Sequence, residues 1–93
     1  MNIPKIISID EALKIYYTNT EIGNKEITTL FGTLSPATVS KLKKSAKEEM
    51  NKRDILSYGM HKVNTSVAFE IWGIDVNDLE KRRKKLVELK LLH

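Results

Sequence analysis

The segment Phe31-Gly32-Thr33-Leu34-Ser35-Pro36 cannot lie inside a helix, although helix-forming sequence flanks it on both sides. Proline in a helix interior removes a hydrogen bond and clashes with the preceding turn. At the first helical position its missing N–H costs nothing, and a serine just before it caps the helix. Glycine takes the positive backbone angle that ends a helix. Upstream, Ile27, Leu30 and Phe31 share one face of a short stretch opened by Asn24 as N-cap. Downstream, Val39, Leu42, Ala46 and Met50 recur at helical spacing. The pattern predicts a helix over 24–31, a tight turn, and a second helix from 36 to about 50. Opposite the buried stripe of that second helix lie Ala37, Ser40, Lys41, Lys44 and Glu48, flanked by Thr38 and Lys47.

The remaining elements follow the same logic. Ser8-Ile9-Asp10-Glu11 starts a helix over 9–18 that carries Ala12, Leu13, Tyr16 and Tyr17, with one tyrosine facing in and one out. Residues 18–23 read as a loop. Residues 51–63 fit either a short strand and turn, as in a wing carrying Tyr58, His61 and Lys62, or a helix tail and a loop. Asn64 opens a helix over 65–72 whose Trp72 belongs to the core, and Asp75 caps a last helix over 76–91. The expected fold is all-α, a bundle of about five helices in a single compact domain spanning 1–93. Within it, 1–53 form a helix-turn-helix unit and 64–93 a second helix pair, with either two tandem units or a short wing between the third and fourth helices. A shift of 40 residues brings Asn24 onto Asn64, Ser35 onto Asp75 and Lys44 onto Lys84. Amphipathic helix pairs with short turns match at some shift by chance, and the sequence favours chance over duplication.

Charge is unevenly placed along this chain of 93 residues. Residues 1–40 hold three Lys/Arg against four Asp/Glu, whereas residues 41–53 hold six against two. A second basic run, Lys81-Arg82-Arg83-Lys84-Lys85, lies in the last helix. Clustered cations attract phosphates, and each phosphate neutralised releases counterions. Zero cysteines remove disulfides and thiolate metal sites, and the opening segment lacks the pattern of a secretory signal. The expected compartment is the cytoplasm. No apolar run approaches the roughly 18 residues of a membrane span. His61 and His93, the two histidines, have no paired acid nearby, so no metal site is expected. No nucleophile triad or phosphate-cradling glycine loop is present, so neither catalysis nor a cofactor is expected.

Residues 24–43 resemble the helix-turn-helix of phage repressors and small bacterial regulators. The matching positions are Ile27 and Phe31 in the first helix, Gly32 in the turn, and Val39 and Leu42 holding the second helix. The strongest part is Leu34-Ser35-Pro36-Ala37-Thr38-Val39-Ser40-Lys41, which looks like the opening of a recognition helix. The resemblance implies sequence-specific binding of duplex DNA by a small transcriptional regulator of phage or mobile-element type. Ala37, Thr38, Ser40 and Lys41 would stand near base edges, Lys44 and Lys47 near the backbone, and Ser35 is a further DNA-contacting candidate. Lys43 is a further phosphate candidate, and Lys81, Arg82, Arg83, Lys84 and Lys85 would form a second contact. Leu79, Leu86 and Leu89 suggest a seam for homodimerisation through the C-terminal helix. The alternative expectation is a helical protein–protein adaptor or a DNA-packaging adaptor of the small-terminase kind, in either case away from membranes.

Overall fold

The structure, a computed structural model, describes residues 3–91. Helix α1 (Ile9–Thr18) leads into a two-residue strand β1 (Glu21–Ile22). Then come α2 (Asn24–Phe31), α3 (Pro36–Lys52), a second two-residue strand β2 (Val63–Asn64), α4 (Thr65–Ile71) and α5 (Val76–Leu91). The mostly helical class matches the sequence expectation, but three local readings change. Residues 18–23 are not all loop, because Glu21 and Ile22 pair antiparallel with Asn64 and Val63. The N-cap of α2 is Gly23, whose N–H donates to Glu26 Oε1 at 2.8 Å, while Asn24 is already helical. No hairpin stands between α3 and α4. The strand there finds its partner far upstream, and residues 53–62 form a loop.

The helix ends follow from side-chain chemistry. Ser8 accepts from Glu11 N–H, Ser35 from Thr38 N–H, Asn64 from Val67 N–H and Asp75 from Asp78 N–H. Each satisfies a donor that has no partner within its own helix. Four-residue turns, 32–35 and 72–75, join α2 to α3 and α4 to α5. Each carries a glycine at positive φ, +85° at Gly32 and +73° at Gly73. Gly32 also has ψ −169°, a combination that essentially only glycine adopts.

One core joins the elements. Leu13 and Ile15 of α1, Ile27, Leu30 and Phe31 of α2, and Leu42, Ala46 and Met50 of α3 meet Ile22, Val63, Phe69 and Trp72. Each fully buried large side chain contributes about 1.5–3 kcal/mol. Trp72 is core, as its sequence context indicates, and its Nε1–H donates to the Leu42 carbonyl at 3.0 Å, tying the end of α4 to the middle of α3. Tyr16 is half-buried against Phe69 and Tyr17 is exposed. Only the start of α5 joins the body. Leu79 is buried in this core, which removes it from the expected dimer seam.

The order strand, short helix, positive-φ glycine, capped long helix occurs twice. Their paired strand residues Ile22 and Val63 lie 41 residues apart, and their later caps, Ser35 and Asp75, lie 40 apart. That change explains why no single shift aligns the two glycines and the caps together. The corresponding residues Ile22 and Val63 pair with each other. The rings of Phe31 and Trp72, also 41 apart, meet edge to face with centroids 5.8 Å apart. The packing of the long helices does not repeat, since α3 lies on α4 whereas α5 lies on α1.

Replacing Gly32 by alanine forces a side chain into a glycine-only backbone region. The Gly32→Ala variant is expected to lose about 1–3 kcal/mol of stability. Urea denaturation checks this, and an unchanged midpoint would show that the turn relaxes to another conformation.

Candidate nucleic-acid interface

The basic segment of α3 is legible as a helix face once α2 is set beside it. With about 3.6 residues per turn, Ser40, Lys44, Lys47 and Asn51 fall in one line along α3. They form one wall of an open groove. Asn24 and Thr28 of α2 form the opposite wall, and Leu34, Pro36 and Val39 supply apolar lining. Lys43 and Glu48 lie along its sides, and His61 enters from the loop before β2. The polar lining offers three lysines against one carboxylate, together with hydroxyl, amide and imidazole groups that donate and accept hydrogen bonds.

Lys43 holds the two walls together. Its Nζ donates to Asn24 Oδ1 at 3.0 Å, and its stem is half-buried. Burial, and after it the charge of Lys47, pushes the Lys43 ammonium below the usual lysine range. Thr28 donates its hydroxyl proton to the Asn24 carbonyl at 3.0 Å, so toward the groove it presents an acceptor.

Ser40, Lys44 and Lys47 of the expected DNA-contacting residues therefore come together. Ser35 and Thr38 are committed to the helix start, where Ser35 Oγ accepts from Thr38 N–H and lies 2.9 Å from Thr38 Oγ1. Ala37 and Lys41 are exposed but stand outside the groove. Helical periodicity alone selects the face directly opposite the buried stripe. Because α2 stands beside one flank of α3, across the groove and joined by the Lys43–Asn24 hydrogen bond, the groove opens toward that flank and leaves Lys41 on the other. Asn51 is visible in principle as the next step of the Ser40, Lys44, Lys47 spacing. Thr28 and the second role of Asn24 carry no local signal.

No family model, curated protein or solved structure matches this chain.

The second basic run is separate from the groove. All of residues 81–85 are exposed. Arg82 pairs with Asp78 and Arg83 with Asp10, each at 2.9 Å. Lys81, Lys84 and Lys85 form no ion pair among the described residues. No group of three or more His, Cys, Asp or Glu side chains that could hold a metal occurs among the described residues, and His93 lies outside them. No helix among them is long and apolar enough to cross a membrane.

The loop that carries His61 is anchored by a carboxylate. Glu21 accepts from the backbone N–H groups of Tyr58 and Gly59 at 2.9 and 2.7 Å. Partial burial alone would raise this carboxyl. The two N–H groups, the Ser57 hydroxyl and the Lys62 charge outweigh it and hold Glu21 below its ordinary range. A depressed carboxylate contributes stability that is complete above the unfolded-state value, about 4.3, and is lost as pH falls through the lower folded-state value. In an acid titration followed by NMR, the Tyr58 and Gly59 amide signals are expected to shift together with one midpoint below that of an unperturbed glutamate. In Glu21→Gln this transition should vanish. Amide signals that ignore the titration would show that the carboxylate does not anchor the loop.

Proposed function

We propose that this protein binds duplex DNA, with α3 in the major groove and the α2–α3 groove set over one strand of the backbone. The observation that carries the reading is the line Ser40, Lys44, Lys47 and Asn51 facing Asn24 and Thr28. It combines cations for phosphates with side chains able to hydrogen-bond base edges or sugar–phosphate oxygens. Helix α3 is roughly 25 Å long and of ordinary helical width, and the major groove admits such an element. The tight turn at Gly32 leaves the outer face of the helix uncovered beside it. The resemblance of residues 24–43 to phage repressors and small bacterial regulators points to transcriptional regulation of phage or mobile-element type as the role of this contact. DNA packaging is the other role that the same contact would serve. Lys81, Lys84 and Lys85 on α5 offer a second set of phosphate contacts.

A second reading, a protein–protein adaptor, has its own observation. Leu86, Val87 and Leu89 are exposed on α5 beyond the point where Leu79 enters the core. Self-association through that stretch is testable by sedimentation. Leu86→Asp is expected to convert a dimer to a folded monomer, and an unchanged mass would remove the seam.

Anisotropy titrations of random-sequence duplex DNA at two salt concentrations test the leading reading. Binding should weaken steeply with salt. Lys44→Ala and Lys47→Ala should each weaken all sequences and flatten the log–log salt slope by about 0.9. Ser40→Ala should instead change preference among sequences. Absence of binding at low salt would discard the DNA reading in favour of the adaptor.

A further inference from the structure

We propose that the loop between α3 and β2 is a second DNA-contacting element, which places Leu56, Tyr58 and Met60 against base faces or sugar edges beside the groove. The proposal rests on the DNA reading above and names what that site does at its edge. The three side chains are among the most exposed large apolar groups of the chain, at 74%, 89% and 84%. None of them is among the hydrophobic side chains packed against the core.

The loop is held rather than slack. Besides the Glu21 anchor, Lys62 N–H donates to the Gly59 carbonyl at 3.2 Å. The Ser57 hydroxyl sits 3.0 and 2.9 Å from the Gly59 and Lys62 carbonyls. Asp54 and His61 adopt left-handed backbone angles, φ +55° and +61°, uncommon for residues other than glycine. The hydrogen bonds and left-handed residues thus fix a loop shape that leaves Leu56, Tyr58 and Met60 exposed.

Position identifies the occupant. His61 lines the groove together with Lys43, Lys44 and Lys47. A duplex whose phosphates follow those lysines therefore runs past this loop. The apolar surfaces a duplex offers are base faces, sugar edges and thymine methyl groups. Leucine and methionine wedge between base steps, and tyrosine stacks on bases. A protein partner would meet the same three side chains, but it would have to lie beside the cationic groove that His61 lines.

The test is a Tyr58→Ala/Met60→Ser double variant, with retention of fold checked by circular dichroism. Random-sequence duplex DNA is titrated by anisotropy at two salt concentrations, and a duplex labelled at both ends reports end-to-end distance by energy transfer. The variant is expected to bind about tenfold more weakly with an unchanged salt slope, because stacking and not phosphate contact is removed. Any shortening of the end-to-end distance seen with the wild type should diminish. Equal affinity and equal distance for variant and wild type would overturn the loop contact while leaving the α3 reading intact. Failure of the wild type itself to bind at low salt would remove both.

Discussion

Ile22 and Val63 face each other across a ladder only two residues long, and both are fully buried. Everything else in the structure is arranged about that pair. It brings the segment before α2 against the segment before α4, so α3 must cross from one half to the other and lie on α4. So short a ladder has too few backbone hydrogen bonds to stand alone. It persists because the two side chains are sealed between helices and because Met50, at the end of α3, reaches the edge of the ladder, where its sulfur accepts from Asn64 N–H. The residue next to Ile22 is Glu21, which faces the other way and fastens the loop that reaches the groove. Core and candidate site are thus joined within a single dipeptide.

Much of this was legible in the chain. The helices over 9–18, 24–31 and 76–91 have the expected bounds and α3 the expected start, because Ser8, Gly32, Ser35 and Asp75 are strong local signals whose effect does not depend on distant contacts. The strands were not legible. Two-residue strands have no period to detect, and their existence depends on a partner some forty positions away. The orientation of the groove was half legible. The wheel of α3 separates inside from outside, but the presence of α2 on one flank decides which outside residues share a concave surface. Leu79 shows the same limit from the other side. Its spacing to Leu86 suggests one continuous seam, yet the body of the protein covers the first position and stops short of the second.

The duplicated order of elements shows how differently sequence and structure report repetition. A uniform shift fails because α2 is one residue longer than α4 and the glycine sits at a different place in each turn. What survives is a set of backbone requirements: a cap, a reversal and a second cap. Residues of several kinds satisfy these, serine or aspartate at the later cap and glycine or asparagine at the earlier one. Two pairs of corresponding apolar positions, Ile22 with Val63 and Phe31 with Trp72, are in contact with each other. Substitution at either member of a pair changes the fit of both halves at once.

From Lys84 to Lys90 every side chain of α5 is exposed, so beyond the Arg83–Asp10 pair the helix leaves the body as a rod roughly 10 Å long. An uncovered helix of that length is marginal in water, and a pair such as Asp78–Arg82 adds only a few tenths of a kcal/mol. The rod is consequently the segment whose helix–coil balance responds first to salt, temperature and solvent. Any ligand that requires it helical has its affinity scaled by the helical fraction present beforehand. The far end of the molecule thus owes its shape to local helix propensity and ion pairs and not to the core.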